Sequence, residues 1–305
     1  MNKNIPFFDS YWYCYSNSTA MLLGSFGENI SPKLIEPLTG VGLGAMFHKK
    51  SGLPFFSGLK GLPDLGVSKA LEILGFGFEE KYKEDEFDFP IEELKKDLEE
   101  SPVVIGPLDM SFLAYNPKRP KVTGVDHYVL VYEITDEKVF LNDPAGYAQV
   151  WLSIENLKSA WKAEKIGYRR GFYRSWTKPR RLSRPTDKEI YNKATEWFKT
   201  KYDGSNENEK AILHLASLAK QKALKPKQVG HLSGFAFPLG VKRALDYALF
   251  FGNRNEEVKN LKLSQAKKFG LAQTSIMSED WDNLSNDLEK LAEIEMQLKE
   301  IILKF

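Results

Sequence analysis

The spacing of apolar and polar residues differs between the two halves of the chain. Before residue 175, short apolar runs typical of strands alternate with apolar residues spaced three or four apart, as in helices. Beyond residue 186 the helical spacing prevails. The last predicted helix carries an apolar stripe at Leu284, Leu288, Leu291 and Leu298. The pattern predicts an α+β protein with a mostly helical C-terminal region.

Capping residues, prolines and glycines give the ends of the predicted elements. Residues 40–44, which read Gly-Val-Gly-Leu-Gly, predict a loop or a short strand. Helices are predicted at residues 16–23, 67–74, 90–99, 186–204, 206–223, 239–251, 255–269 and 279–303. Two further helices are predicted to begin at residue 32 and after Ser153. The strands are predicted at residues 102–108, 127–134, 139–142, 148–152 and 168–176.

A basic segment with a proline near each end separates the two halves. Residues 178–185 read Lys-Pro-Arg-Arg-Leu-Ser-Arg-Pro, which favours no regular structure. Thr186 and Glu189 then form the capping box of a new helix. We therefore predict one domain over residues 1–177, a linker over 178–185 and a helical domain over 186–305.

Composition narrows the functional class. Apolar residues make up 42% of the chain and charged residues 28%, and the net charge of +2 indicates neither a nucleic-acid nor a membrane partner. The apolar runs are far shorter than the roughly 20 residues of a membrane span. The N-terminus lacks the apolar core of a signal peptide. We predict a cytoplasmic protein.

The chain has a single cysteine, Cys14, and its histidines lack the spacing of metal ligands. One cysteine forms no internal disulfide and builds no cysteine-based zinc site. We therefore predict no metal. Cys14 is then either an inert core residue or a nucleophile. The histidines are His48, His127, His214 and His231.

Cys14 lies just before the first predicted helix. A free thiol with a pKa near 8.5 is only about 3% thiolate at neutral pH. The partial positive charge and unpaired N–H groups of a helix N-terminus favour the thiolate. This position suits a nucleophile, although a cysteine considered alone is more often a buried core residue.

His127 and Asp143 belong to a predicted antiparallel hairpin. His127 begins its first strand, and Asp143 ends the second, directly before Pro144. Such a hairpin brings these two ends together, so the side chains should meet. A carboxylate beside an imidazole orients the ring and stabilises its cation. Together with Cys14, the pair predicts a catalytic triad rather than a strand-end histidine and a turn aspartate.

This order of residues resembles the papain-like cysteine protease fold, in its C39-peptidase-like branch, where a helix carrying Cys packs on an antiparallel sheet. Three parts of the chain resemble more closely the family of the butirosin-pathway acyl carrier protein:amine acyltransferase. They are residues 14–23, residues 30–32 with 40–44, and residues 126–131 with 142–144. Amide synthases of closthioamide-type pathways are similar in this respect.

The resemblance implies an acyltransferase that forms amides in natural-product biosynthesis. Cys14 would take an acyl group from the phosphopantetheine arm of an acyl or peptidyl carrier protein and pass it to a small amine, with His127 as base and Asp143 orienting it. The phosphopantetheine arm arrives with the carrier protein, and no bound cofactor is implied.

The chain departs from papain-like proteases at the oxyanion hole. The glutamine that those enzymes carry about six residues before the cysteine is replaced here by Phe8. The backbone N–H of Cys14 supplies one donor, and Asn4, Ser10 and Asn17 are candidates for the second. Losing one donor costs roughly 2–4 kcal/mol of transition-state stabilisation. A reactive thioester tolerates that loss better than a peptide bond does.

Two further features carry weaker functional hypotheses. Six of the nine residues from Phe7 to Tyr15 are aromatic, and they wall either an acyl pocket or the core. The basic segment is either a carrier-docking surface or a solvated linker. The pocket candidates are Phe8, Tyr11, Trp12, Tyr13 and Tyr15, and the docking candidates are Lys178, Arg180, Arg181 and Arg184.

Two alternatives to acyl transfer remain open on the sequence. A cysteine peptidase or amidase would use the same triad with water as the acceptor. A binding protein would keep the fold without catalysis.

Overall fold

The structure is a computed structural model that describes residues 4–10, 12–48, 51–202 and 205–305. The chain forms two compact units. The first contains residues 1–35 and 63–185, and the second contains residues 36–62 and 186–305. Each unit therefore combines segments that are distant in the sequence.

The strands lie almost entirely in the first unit. A six-stranded antiparallel sheet has the order β3-β8-β4-β5-β6-β7, and β1 and β2 pair in the second unit. The described strands are β1 (Met46–Phe47), β2 (Pro54–Phe55), β3 (Phe76–Lys83), β4 (Val103–Asp109), β5 (Asp126–Ile134), β6 (Lys138–Asp143), β7 (Tyr147–Ser153) and β8 (Phe172–Arg181).

The helices are divided between the units. The described α-helices are α1 (Cys14–Gly24), α2 (Pro32–Thr39), α3 (Pro63–Ile73), α4 (Ile91–Glu100), α5 (Ile154–Trp161), α6 (Asp187–Lys199), α7 (Glu207–Lys220), α8 (Pro226–His231), α9 (Phe237–Phe251), α10 (Glu256–Met277) and α11 (Trp281–Ile302). The predicted α+β class, with Cys14 on an N-terminal helix and a helical C-terminal region, is confirmed.

Helix α1 is the central helix of the first unit. All of its residues before Gly24 are buried, including several polar ones. The hydroxyl of Ser18 donates to the backbone carbonyl of Tyr128 on β5 at 3.2 Å, and that of Thr19 donates to the carbonyl of Tyr15 at 2.8 Å. These bonds offset the cost of burying polar groups. The helix therefore has a fixed position on β5.

Tyr128 lies between α1 and the neighbouring strand β4. Its ring meets Tyr15 edge-on, with centroids 5.8 Å apart. On the β4 side, a Cβ atom placed on Gly106 would lie only 2.3 Å from the Tyr128 ring. The absence of a side chain at residue 106 thus lets the ring lie against β4.

The second unit is built on helices α6 to α11, and its core includes residues from the N-terminal half of the chain. Ala45 belongs to the buried cluster formed with Leu215, Phe237 and Leu288, and Phe56 packs against the same cluster. The side-chain oxygen of Asn208 accepts a hydrogen bond from the backbone N–H of Ala45 at 3.1 Å. Residues 36–62, predicted to belong to the catalytic domain, are thus part of the helical unit.

The interpretation of residues 178–185 as a linker is wrong for residues 178–181, which continue strand β8. Two of their three charged side chains, Lys178 and Arg181, have acidic partners within the same unit. Lys178 Nζ lies 3.0 Å from Glu100, and Arg181 donates to Glu28 at 3.0 Å. These ion pairs make a basic segment compatible with a strand. The last of the boundaries between the two units along the chain falls after Pro185.

Strand β3 has no counterpart among the predicted strands. Four of its eight residues are charged, and it lies at the edge of the sheet, where charged side chains are common. None of the helices in the described part of the chain combines the length and the apolar character needed to cross a bilayer.

We predict that Gly106→Ala destabilises the first unit by about 1–3 kcal/mol, because its Cβ collides with the Tyr128 ring. The measurement is the free energy of unfolding in denaturant. Gly167→Ala is the matched control, since a Cβ there meets no atom within 4 Å. Equal effects of the two substitutions would contradict the close packing of Tyr128.

Candidate active site

Cys14 is the first residue of α1. Its side chain is buried, with 8% of the residue exposed, and no side chain among the described residues caps the helix at Tyr13. The first N–H groups of a helix have no partner within the helix, so the one at Cys14 points out of the helix start. The thiol therefore has the helix N-terminus beside it, as the sequence indicated.

His127 and Asp143 meet across the β5–β6 hairpin. Leu130 pairs with Asn142, so Asp143 lies diagonally across from His127 on the neighbouring strand. His127 Nε2 donates to Asp143 Oδ1 at 2.6 Å. Both residues are buried, with exposed fractions of 3% and 0%. The predicted contact between the two side chains is present.

Asp143 is held by further hydrogen bonds. The backbone N–H of Ala145 donates to Oδ1 at 2.7 Å, and the hydroxyl of Tyr115 donates to Oδ2 at 2.8 Å. Both carboxylate oxygens thus have donors, which fixes the plane of the group. Tyr115 positions the carboxylate that in turn orients His127.

The thiol of Cys14 lies close enough to the His127 side chain for hydrogen bonding and charge to lower the pKa of the thiol. Since Nε2 of the ring is engaged by Asp143, Nδ1 is the nitrogen left for the sulfur. The structure thus brings together the thiol, the imidazole and the carboxylate. In this order a base can take the thiol proton while the carboxylate stabilises the resulting cation.

Burial and neighbouring charges shift the pKa values of Cys14 and His127 in opposing directions. Burial raises the pKa of the Cys14 thiol, the nearby charge of Asp126 raises it further, and the hydrogen bond with His127 lowers it. Burial would lower the pKa of His127, but the charge and hydrogen bond of Asp143 outweigh it, so this pKa lies well above its usual value. Asp143 thus favours the imidazolium, whereas burial opposes the thiolate.

Asn17 is the buried member of the three oxyanion candidates. It lies three residues after Cys14, on the same face of α1, and helical side chains tilt toward the N-terminus. Its Nδ2 is buried and has no hydrogen-bond partner among the described residues. Asn4 is exposed, and the backbone N–H of Ser10 donates to Pro144. Asn17 therefore has a donor available beside the thiol.

The aromatic residues around Cys14 divide into two groups. Tyr13 and Tyr15 are buried in the core. This agrees with the second interpretation of the aromatic residues, in which they form the core and not an acyl pocket. Phe8 and Trp12 are half-buried, and Tyr11 lies outside the described residues. A role in acyl binding stays a prediction for Phe8 and Trp12.

The four candidates for carrier docking also differ in their surroundings. Lys178 and Arg181 are engaged in ion pairs with Glu100 and Glu28. Arg180 and Arg184 are exposed, and Arg184 Nη2 also lies 3.5 Å from Glu28. A role in carrier docking stays a prediction for these residues.

The other histidines have structural surroundings in the second unit. His48 Nδ1 lies 2.9 Å from the hydroxyl of Ser51, His214 packs edge-on against a phenylalanine, and His231 donates to the carbonyl of Pro54 at 2.8 Å. Across residues 4–10, 12–48, 51–202 and 205–305, no three His, Cys, Asp or Glu residues gather in a group that could hold a metal ion.

Known proteins share both parts of this architecture. Residues 79–168 match the Peptidase C39 family, and residues 202–303 match the YobF C-terminal domain. The chain is 40% identical over 298 residues to a Bacillus subtilis (strain 168) protein named uncharacterized protein YobF, with 96% of each chain covered. The chain belongs to the YobF family.

The Peptidase C39 match fits the site of this YobF-family protein. It covers His127 and Asp143, while Cys14 lies before the matched residues. The predicted papain-like fold of the C39 branch is thereby confirmed. The chain has the cysteine peptidase fold, and its match to the C39 family indicates cysteine-dependent chemistry.

Sequence reasoning missed three residues at this site. Tyr115 bonds to Asp143, and Tyr168 donates to Asp126 Oδ2 at 2.8 Å, next to His127. Tyr115 and Tyr168 lie far from their partners in the sequence and in no recognisable motif. Asp126 adjoins His127, and that position was the only available signal.

We predict that His127→Ala raises the pKa of Cys14, because the hydrogen bond and charge of His127 both lower it. Alkylation of the thiol by iodoacetamide, followed across pH, measures this, since Cys14 is the sole cysteine. The profile should move to higher pH. His48→Ala is the control, and an unchanged profile in both variants would mean that the ring and thiol do not interact in solution.

Proposed function

We propose that the protein is a cysteine-dependent acyltransferase that forms amides. The acyl group comes from a thioester on the phosphopantetheine arm of a carrier protein, passes to Cys14 and then to a small amine. The observation that carries this proposal is the buried Cys14–His127–Asp143 arrangement at the start of α1. It provides a nucleophile, a base and an orienting carboxylate.

The electrostatics of Cys14 support a thioester as the donor. Burial raises the pKa of the thiol and so makes the thiolate harder to form. A thioester carbonyl is more electrophilic than a peptide amide and has a better leaving group, so it is the less demanding acyl donor for such a thiol. The limited exposure of Cys14 and His127 also keeps bulk water from the acyl-enzyme.

The two half-reactions use the same groups. His127 takes the proton of Cys14, the sulfur attacks the thioester carbonyl, and the proton passes to the departing pantetheine sulfur. The amine then attacks the acyl-enzyme and gives a proton to His127, and the thiol is restored. The N–H of Cys14 and the amide of Asn17 would stabilise the oxyanion in both steps.

A cysteine peptidase or amidase is the second candidate. The match of residues 79–168 to the Peptidase C39 family favours it. The same triad would then release the acyl group to water. The two candidates differ only in the acceptor, so one experiment separates them.

The experiment supplies an acyl thioester of N-acetylcysteamine, a mimic of the phosphopantetheine arm, with and without a panel of amines. Intact mass spectrometry should show one acyl group on the wild-type protein and none on Cys14→Ala. With amine present, amide should exceed free acid. Acid as the sole product across the panel would establish the hydrolase, and no adduct at all would leave a binding protein.

We predict that Asn17→Ala slows acylation of Cys14 by about 10²–10³-fold, the usual effect of removing one oxyanion donor. The rate of adduct formation measures this. Because Asn17 Nδ2 has no partner among the described residues, its loss should leave the free energy of unfolding nearly unchanged. Asn260→Ala, at an exposed position, is the control. A destabilised but fully active Asn17 variant would contradict the oxyanion role.

A further inference from the structure

A carboxylate that has no cationic partner among the described residues lies near the candidate nucleophile. Asp126 begins β5, directly before His127, and lies opposite Asp109 in the backbone register of β4 and β5. It is half-buried, and it is near enough to Cys14 that its charge helps to raise the pKa of the thiol. The triad described above makes no use of this group.

The contacts of Asp126 leave one oxygen available. Oδ2 accepts a hydrogen bond from Tyr168 at 2.8 Å, and the Tyr168 hydroxyl lies 3.2 Å from that of Tyr128. Oδ1 has no hydrogen bond from any residue that the structure describes. The two tyrosines thus fix the orientation of the carboxylate, and Oδ1 is left without a donor among the described residues.

Two buried carboxylates of the first unit are paired with cations, and a third accepts several hydrogen bonds at one oxygen. Asp64 lies 2.8 Å from the guanidinium of Arg170, and Asp97 lies 2.7 Å from Lys81. Asp109 accepts three hydrogen bonds within its own loop. Asp126 differs from Asp64 and Asp97, since none of the Lys and Arg side chains in the described part of the chain forms an ion pair with it.

A negative charge at this position hinders the first half-reaction, because it disfavours the thiolate. Once Cys14 carries an acyl group, the thiolate is gone and the repulsion disappears. A half-buried carboxylate beside the thioester then attracts a cation strongly, since charge-assisted hydrogen bonds are among the strong ones. The group is therefore suited to the second half-reaction.

We propose that Asp126 Oδ1 binds the acceptor amine in its ammonium form and holds it beside the acyl group on Cys14. This inference rests on the proposed function and names the feature of the acceptor that the site recognises. The subsite selects protonated alkylamines over neutral nucleophiles, water included. Tyr168 and Tyr128 are its positioning residues.

The protons balance in this step. His127, neutral after it has protonated the departing pantetheine sulfur, accepts one proton from the bound ammonium. The free amine attacks the thioester carbon, the new C–N bond forms, and the C–S bond breaks. The nitrogen loses a second proton to solvent, and the proton on His127 returns to the sulfur of Cys14.

The test follows transfer from pre-acylated protein to two acceptors. An alkylamine is protonated at neutral pH, whereas hydroxylamine is largely uncharged. Asp126→Asn should slow transfer to the alkylamine by about tenfold or more, the size expected for one charge-assisted hydrogen bond, and should affect hydroxylamine far less. Asp136→Asn is the matched control, because its side chain is 95% exposed.

Two further measurements keep the test informative if Asp126→Asn folds poorly. In the wild-type protein, rising salt should weaken transfer to the alkylamine and leave hydroxylamine unchanged, because salt screens an ionic attraction. Asp126→Glu should retain the preference for the alkylamine.

A folded Asp126→Asn variant allows one more measurement. Its alkylation of Cys14 should shift to lower pH, since Asp126 raises the pKa of the thiol.

The outcomes separate this inference from the proposed function. If wild-type Cys14 never takes an acyl group, the acyltransferase itself is excluded, and the acceptor subsite with it. If the adduct forms but Asp126→Asn slows both acceptors equally, or neither, Asp126 does not bind the ammonium. Acyl transfer would then stand without this subsite.

Discussion

The site depends on the hydrogen bond of 2.6 Å between His127 and Asp143 across the β5–β6 hairpin. A buried imidazole is ordinarily held neutral, because burial penalises its charged form. Asp143 reverses that preference, so the ring can receive a proton from the neighbouring thiol. The bond also fixes which ring nitrogen faces Cys14. Without this contact the three groups would be separate buried residues with no shared chemistry.

Two sets of contacts hold the His127–Asp143 pair and Cys14 in place. Tyr115 fixes Asp143 from behind, and its hydroxyl keeps the carboxylate from turning away from the ring. The packing of α1 on β5 fixes the other side, because Ser18 ties the helix to the backbone of the strand that carries His127. The nucleophile and the base thus stand on elements joined within one core. Such rigidity suits a reaction that requires close alignment of a thiol and an acyl carbon.

Local patterns in the sequence were sufficient for a helix close to Cys14, the β5–β6 hairpin and the cap of α6 at Thr186, because each depends on neighbours a few residues apart. The helix itself begins two residues earlier than the predicted start at residue 16. Long-range partners decided the rest. Residues 178–181 continue strand β8, where Lys178 and Arg181 form ion pairs with Glu100 and Glu28 from distant segments of the first unit. The contacts of Tyr115 and Tyr168 likewise join segments that no local pattern relates. The roles of the site residues in catalysis stay predictions.

The membership of residues 36–62 in the helical unit has a consequence for biosynthesis. Ala45 and Phe56 leave the ribosome well before the helices that bury them, since those helices begin after residue 186. The segment must therefore wait, with its apolar side chains unburied, while more than a hundred further residues are translated. A cut at residue 185 would likewise separate this segment from the helices that it packs against, so no single cleavage point yields two intact units.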